Sequence, residues 1–186
     1  MTIGFALTGS FCTFSQVFPV MEELAKRHKL IPIFSFNAAS TDSRFGKAAD
    51  FLHQAESLCG IAPMFTIPAA EPIGPKKLLD ALIIAPCTGN TLSKLAHSAA
   101  DTPVTMAVKS HLRNGRPVIV AVSTNDGLAG ACENIGRLLG RKHYYFVPFG
   151  QDDPFGKPSS LVADFSRIPQ TLEAAMAGRQ IQPLLL

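Results

Sequence analysis

The chain has 186 residues, 47% of them hydrophobic, and this length and apolar content suit one domain, residues 1–186, with a sizeable core. The formal net charge is +3, and because the basic residues are scattered along the chain rather than grouped, we do not expect a nucleic-acid-binding protein. No stretch approaches the roughly 20 apolar residues of a membrane span, and the four cysteines lack the spacing of a disulfide framework or a zinc site, so we expect a cytoplasmic protein without a metal site.

Apolar runs alternate with segments of helical spacing along the first half of the chain. In order, the sequence predicts a strand over Ile3–Leu7, a helix over Phe14–Ala25, a strand over Leu30–Phe36, a helix over Phe45–Cys59, and strands over Met64–Ile67 and Ala81–Ala85. The last of these strands leads into a helix that ends near Ala96. The cysteines Cys12, Cys59, Cys87 and Cys132 are expected to be small buried residues.

The second half of the chain continues the alternation. Thr102 and Pro103 predict a helix start, and that helix runs towards Asn114; it is followed by a strand over Pro117–Val122, a helix over Gly127–Leu139, a strand over Tyr144–Val147 and a helix over Pro169–Ala177. An irregular stretch, Pro148–Ser160, is rich in Gly and Pro. Continuously apolar strands that alternate with helices predict an α/β fold, a three-layer α/β/α arrangement with a doubly wound parallel sheet, flavodoxin-like or Rossmann-like.

Short polar side chains and glycines follow four of the predicted strands, in the segments LTGSFCTF, SFNAASTDSR, APCTGNT and VSTND. Because ligands of open parallel sheets bind at the carboxyl ends of the strands, these segments predict a phosphate site. The candidate residues are Gly9, Ser10, Ser35, Asn37, Thr88, Gly89, Asn90, Thr91, Ser123 and Asn125. The alternative is that a residue such as Thr88 or Asn90 only caps its own helix.

The sequence restricts the kind of phosphate ligand. It contains neither the GxxxxGK[ST] of a P-loop nor GxGxxG in the first turn. The end of the second strand reads Ser35-Phe36-Asn37, with no acidic residue for the ribose of NAD. FMN needs one phosphate cradle and a neutral hydrogen-bonding wall, so FMN is favoured over NAD within this chain.

Several segments together resemble a known family: IGFALTGSFCTF, FNAASTDSRFG, EPIGPKKLLDALIIAPCTGNTLSKLA, VSTND and FVPFGQDDPFGKP, with the ending QPLLL. They closely resemble the dipicolinate synthase B subunits of bacteria, a branch of the homo-oligomeric flavin-containing cysteine decarboxylases. In that wider family the segment after the fourth strand reads Pro-Ala-Ser-Ala-Asn-Thr and contacts FMN. Here Pro86, Asn90 and Thr91 match in place, and Gly9-Ser10 matches the phosphate-contacting turn.

The resemblance also has a departure. The decarboxylases carry a Pro-any-Met-Asn clamp and a catalytic histidine, whereas the corresponding place here reads Ser123-Thr124-Asn125-Asp126 and only Asn125 fits. This departure counts against the alternative of an FMN-dependent decarboxylase acting on a peptide or a pantothenate-type thiol.

The resemblance instead implies oxidation of dihydro- or tetrahydrodipicolinate to dipicolinate in the mother cell of a sporulating bacterium. The implied partners are an A subunit that carries NAD(P) and further copies of this chain in a homo-oligomer. A further alternative is a cofactor-free scaffold or regulatory partner of the A subunit.

Oxidation of a dicarboxylate requires a cation for the carboxylates and a base for the ring proton. Arg44 follows a strand end and is the first choice for the cation; Lys76, Lys77, Lys109 and Lys157 also lie near loops. Asp152 and Asp153 are adjacent, and two carboxylates that share a proton raise one pKa, as a base needs. The alternatives are a solvated arginine and an ordinary Asp-Asp-Pro turn. Cys87, at the start of a helix, is a further candidate for a lowered thiol pKa.

Overall fold

The structure, a computed structural model, describes all 186 residues of the chain. Its centre is a parallel sheet of five strands in the order β2-β1-β3-β4-β5, which is the flavodoxin-like order. The strands are β1 (Thr2–Leu7), β2 (Lys29–Phe34), β3 (Ala81–Cys87), β4 (Val118–Thr124) and β5 (Tyr144–Phe146). All seven residues of β3 are buried, as expected for a central strand covered on both faces.

Eight helices surround the sheet: α1 (Phe14–Ala25), α2 (Phe36–Ser40), α3 (Ala48–Cys59), α4 (Ile67–Ala70), α5 (Gly89–Ala96), α6 (Pro103–Leu112), α7 (Cys132–Leu139) and α8 (Ile168–Met176). Helix α1 packs against α3 and α8, whereas α5 packs against α6 and α7. The predicted α/β/α fold is confirmed, and the alternation of continuous apolar strands with amphipathic helices accounts for it. No helix combines the length and the apolar character that crossing a membrane requires.

Several predicted elements differ in the structure. The predicted strand Leu30–Phe36 ends at Phe34, because Ser35 caps α2, and the predicted helix Phe45–Cys59 begins at Ala48. The predicted strand Met64–Ile67 is wrong, because only Met64 bridges to β2, at Ile33, and Thr66 then caps α4 by accepting a hydrogen bond from the Ala69 amide. The predicted helix from Gly127 begins five residues later, at Cys132, because the intervening residues form consecutive turns.

A short antiparallel extension lies at the carboxyl end of β4. It consists of β6 (Phe149–Gly150) and β7 (Leu161–Ala163), and β7 pairs with β4 through Ser123↔Val162 and Thr124↔Leu161. The sequence did not predict these two strands, which enclose most of the irregular stretch Pro148–Ser160. Because β7 returns to β4, the segment Gln151–Ser160, hereafter the strap loop, is brought back to the carboxyl end of the sheet.

The free edge of β5 is covered by a side chain rather than by another strand. The amide of Gln180 accepts a hydrogen bond from the Phe146 N–H at 2.8 Å and donates one to the Phe146 carbonyl at 2.7 Å. These are the two bonds that a neighbouring strand would make at that residue.

Candidate functional site

The polar residues that follow the strands meet at one end of the sheet, as predicted. Two clefts open there, and Gly9 and Thr88 line both of them. Cleft B, of about 420 Å³, lies between the ends of β1, β2 and β3. Its lining residues are Thr8, Gly9, Ser35, Phe36, Asn37, Thr88, Asn90, Thr91, Lys94, Asp101 and Thr102. Its single cation is already paired, because the Lys94 ammonium donates to the Asp101 carboxylate.

Cleft A, of about 550 Å³, lies between the end of β1, the end of β4 and the strap loop. It is lined by Gly9, Ser10, Phe11, Cys12, Thr13, Gln16, Ser43, Phe45, Thr88, Ser123, Thr124, Asn125, Asp152, Lys157, Ser160 and Val162. The hydroxyls of Ser10 and Ser123 are hydrogen-bonded across it at 2.8 Å, which joins the ends of β1 and β4. Both clefts have volumes in the range typical of small-molecule sites.

Helix capping accounts for some of the predicted ligand residues. The Ser35 hydroxyl accepts from the Ala38 amide at 3.2 Å and caps α2, and the Thr88 hydroxyl accepts from the Thr91 amide at 3.4 Å and caps α5. Asn90 is the second residue of α5, does not cap it, and is exposed in cleft B. The capping alternative therefore applies to Thr88, whereas the Asn90 amide remains available for a ligand.

Thr8 was not singled out in the sequence, yet it joins the ends of β1 and β3. Its buried hydroxyl donates to the Pro86 carbonyl at 2.7 Å and accepts from the Thr88 amide at 3.1 Å. The sequence does place a hydroxyl at the last buried residue before a Gly-Ser turn, which could have drawn attention to Thr8. Its hydrogen-bond partners could not be predicted, because they lie about 80 residues away in the sequence. This link fixes the wall that clefts A and B share.

The structure gives Gly89 a different role from the predicted one. A Cβ atom at Gly89 would lie 2.7 Å from Thr124 Oγ1 and 2.8 Å from Asp126 Oδ1, and these two side chains are hydrogen-bonded to each other. The atoms that approach Gly89 closely are thus those of Thr124 and Asp126, rather than those of a ligand. Gly89 and the buried Pro86 line neither cleft, whereas a Cβ at Gly9 would meet no atom closer than 3.6 Å.

The two adjacent carboxylates of the strap loop have separate partners. Asp153 accepts from the Gly156 amide at 2.9 Å, and Asp152 accepts from the Lys157 ammonium at 3.0 Å in cleft A. The buried Ser160 hydroxyl and the Lys157 ammonium, both beside the Asp152 carboxylate, hold the pKa of Asp152 below its ordinary value. The expectation of a shared proton and a raised pKa is therefore wrong, because each carboxylate is held by a different donor.

Arg44 lies beside cleft A rather than in it. Its guanidinium stacks over the ring of Phe45 at 4.8 Å from the centroid, and Ser43 and Phe45 line cleft A while Arg44 does not. Lys157 is the one cation among the residues that line cleft A. Lys76 and Lys109 line neither cleft; both face another pocket, to which α6 contributes Lys109.

The cysteines are less uniformly buried than expected. Cys87 is fully buried, and burial raises the pKa of its thiol, so the suggested thiolate at this turn is wrong: the side chain lies in the core rather than facing the helix start. Cys59 is half-buried, and Cys12 and Cys132 are exposed. Cys12 lines cleft A, with its sulfur 3.7 Å from Ser10 Oγ.

The donor set of the two clefts fits FMN. Cleft B offers hydroxyl and amide donors and the start of α5, which suit a phosphate monoester, and its only cation is neutralised by Asp101. The wall that it shares with cleft A is neutral, and beyond it Ser10, Ser123 and Asn125 provide hydrogen-bonding side chains for the ring of a flavin.

Comparisons with known proteins show the family to which the chain belongs. The family model described as Flavoprotein matches residues 1–131. The chain is 48% identical over 185 residues to the B subunit of dipicolinate synthase of Bacillus subtilis (strain 168), covering 99% of this chain and 92% of that protein. The crystal structure of the dipicolinate synthase B subunit from Bacillus halodurans C is similar with a TM-score of 0.91 and 44% identity, over 100% of this chain and 95% of that one. Burkholderia xenovorans DmrB in complex with FMN shares the fold, with a TM-score of 0.69 and 18% identity over 95% of each chain.

Proposed function

Because the chain belongs to the flavoprotein family, and within it to the dipicolinate synthase B subunits, we propose that it is the flavin-binding subunit of an enzyme that oxidises dihydro- or tetrahydrodipicolinate to dipicolinate. The observation that carries the proposal is the meeting of two clefts along one wall. Cleft B has the neutral donors of a phosphate site, and cleft A has the cation and the carboxylate that the substrate chemistry requires.

Cleft B holds the FMN phosphate in this proposal. Asn90 and Asn37 donate from their amides, and Thr91 and Ser35 donate from hydroxyls that stand at helix starts. The start of α5 adds the positive end of the helix dipole, which stabilises a phosphate by about 0.3–1 kcal/mol. Lys94 stays paired with Asp101 and contributes little net charge.

The flavin ring lies against the wall shared by the clefts and extends into cleft A, with Thr88 on the wall and Ser10, Ser123 and Asn125 beyond it as hydrogen-bonding partners. FMN, when bound, supplies an acceptor for a hydride. The hydrogen bond between Ser10 and Ser123 keeps the two strand ends at a fixed separation, so the ring meets a pre-formed surface.

Cleft A holds the substrate. Aromatisation of dihydrodipicolinate removes one hydride and one proton, and the hydride passes to FMN or to a nicotinamide on the A subunit. Asp152 lines this cleft as an ionised carboxylate and is the proposed acceptor of the proton, although its lowered pKa makes it a weaker base than an unpaired aspartate. Lys157, which is ion-paired with Asp152 at 3.0 Å, is the candidate cation for one substrate carboxylate, and Arg44, whose guanidinium stacks on Phe45 beside cleft A, is the candidate for the second.

Other chains are proposed to cover the clefts. Three large apolar side chains lie exposed around them: Phe36 of cleft B is 45% exposed, Phe45 of cleft A 47%, and Phe155 of the strap loop 99%. Such side chains in one region mark an interaction surface. We assign it to an A subunit carrying NAD(P), to further copies of this chain in a homo-oligomer, or to both, in the cytoplasm of the mother cell of a sporulating bacterium.

The proposal is tested by titrating the purified chain, and the chain co-expressed with the A subunit, with FMN and with riboflavin while flavin fluorescence is followed. Much tighter binding of FMN than of riboflavin is expected, because only FMN carries the phosphate. Equal affinities for FMN and riboflavin would contradict the proposal that cleft B binds the phosphate. Binding of neither, even with the A subunit, would make the chain a cofactor-free scaffold or regulatory partner.

The catalytic part is tested separately with Asp152→Asn in the complex. We expect kcat for dipicolinate formation to fall while FMN affinity stays unchanged, because Asp152 belongs to cleft A and the phosphate to cleft B. An unchanged kcat would exclude Asp152 as the base.

A further inference from the structure

A third cavity, of about 410 Å³, lies at the opposite end of the sheet from clefts A and B. It is formed by the end of α5, the middle and end of α6, and the residues that begin β5. Leu95, Val108 and Leu112 provide apolar walls, and the buried ring of Tyr144 lies among them. We call it the cationic cavity, because Lys109, Arg141 and Lys142 also line it and no Asp or Glu does.

The three cations are held differently. The Arg141 guanidinium is fixed to the last carbonyls of α5, donating to Leu95 O at 3.0 Å and to Ala96 O at 2.6 Å. Lys109 and Lys142 are exposed and belong to none of the seven ion pairs of the chain. Their charges therefore face the cavity without a counter-ion, in a wall that is otherwise apolar.

The backbone beside these cations is constrained. His143 has a φ of 70°, a left-handed conformation that is uncommon for a residue other than glycine, and its carbonyl accepts from the Val118 amide at 2.8 Å. The turn Lys142–Tyr144 is thus held in one geometry by β4. Strained backbone of this kind is found preferentially at binding sites.

Apolar walls with unpaired cations define a class of ligand. The walls suit a flat apolar body, and two exposed ammonium groups without an ion-pair partner, on different elements, suit two carboxylates. We propose that the cationic cavity binds a small aromatic dicarboxylate, independently of FMN and of the substrate in cleft A. The cavity contains no carboxylate base, so it is a binding site and not a second reaction site. Its volume is sufficient for one such molecule.

Calorimetric titration with benzene-1,3-dicarboxylate tests the proposal, with benzoate and benzamide as probes of lower charge. We expect the dicarboxylate to bind more tightly than benzoate, and benzamide to bind least. The double variant Lys109→Gln/Lys142→Gln should bind the dicarboxylate roughly tenfold more weakly or worse. Lys26→Gln/Lys29→Gln removes the same charge elsewhere on the surface and should leave the affinity unchanged.

A second variant locates the binding. Ala99→Phe places a ring in the cavity without changing charge, and it should abolish binding of the dicarboxylate while FMN affinity stays as in the unaltered chain. Equal losses in both double-lysine variants, unchanged binding in Ala99→Phe, or no binding at millimolar concentration would each overturn the proposal. FMN titration of the same variants reports separately on the proposed function, so failure of one is distinguishable from failure of the other.

Discussion

Thr8 and Thr88 connect the carboxyl ends of two neighbouring strands: the Thr88 amide donates to Thr8 Oγ1 at 3.1 Å, and the same hydroxyl donates to the carbonyl of Pro86. One side chain therefore satisfies both a donor and an acceptor at the point where clefts A and B meet.

Thr8→Val is expected to lower the free energy of unfolding by about 2–3 kcal/mol, because it keeps the shape of the side chain but leaves the Pro86 carbonyl and the Thr88 amide without this partner. Urea unfolding measures the change. Thr8→Ser keeps the hydroxyl and loses one methyl group, so it should cost only about 1 kcal/mol. A Val variant as stable as the Ser variant would show that the link contributes nothing to stability.

Asn90→Asp is expected to weaken FMN binding while leaving the fold intact. The new carboxylate lies in the first turn of α5, where it stabilises the helix by about 0.3–1 kcal/mol but repels a phosphate in cleft B. Fluorescence titration with FMN measures the affinity, and thermal unfolding measures the stability.

Gln170→Glu is the matched control, because it adds a carboxylate to the first turn of α8, which lines neither cleft. It should change stability in the same direction and leave FMN affinity unchanged. If both variants reduce FMN affinity equally, the effect is one of net charge and not of cleft B.

Because His111 is buried, we expect the free energy of unfolding to fall in mild acid. Burial lowers its pKa to about 4 from 6.5, although the hydrogen bond between Nε2 and the Pro117 carbonyl partly opposes this, and Nδ1 has no partner. As the pH falls from 6.5 to 4, the unfolded chain takes up a proton that the folded chain does not. The free energy of unfolding should therefore decrease by roughly 3 kcal/mol over that interval.

Urea unfolding at several pH values compares His111→Gln with the unaltered chain and with His53→Gln, a change at an exposed histidine of α3. Only His111→Gln should flatten the dependence between pH 6.5 and 4. The same slope in all three proteins would assign the acid sensitivity to other groups.

Substitution by alanine at two glycines should change the free energy of unfolding in opposite directions. A Cβ at the buried Gly74 would lie 2.4 Å from the backbone carbonyl oxygen of Ser110 in α6, so Gly74→Ala should lower the free energy of unfolding by about 2–3 kcal/mol. A Cβ at Gly136 in α7 would meet nothing within 4 Å, and Gly136→Ala should raise it by about 1 kcal/mol. Thermal unfolding of both variants measures the difference, and a destabilising Gly136→Ala would contradict it.

The central sheet could be predicted because its strands are continuous apolar runs, four of which are followed or ended by Ser or Thr, and the fifth, β5, by Val147-Pro148. The short strands β6 and β7 could not, since two or three residues carry no periodicity and their pairing with Ser123 and Thr124 is a contact made across the fold. Met64 has the apolar neighbours of a strand residue, but Thr66 and Pro68 start a helix before a strand can form.

The location of the candidate site could be predicted from the sequence, but the partners of its side chains could not. Polar residues at parallel strand ends converge for topological reasons, so the location of the clefts follows from the sequence pattern. The partners of individual side chains do not follow: Asp152 and Asp153 diverge because Lys157 and the Gly156 amide each take one, and Gly89 packs against Thr124 and Asp126. Such pairings depend on how the strap loop and the β4 turn fold back.

The amide of Gln180 has a consequence for how the molecule joins others. By occupying both backbone groups of Phe146, it denies the β5 border of the sheet to any incoming chain, so assembly cannot proceed there by continuous main-chain pairing. Contacts that a complex makes at this border must therefore be made through side chains. At this border, Gln180 therefore prevents the repeated strand-to-strand pairing between molecules to which an uncovered strand edge is liable.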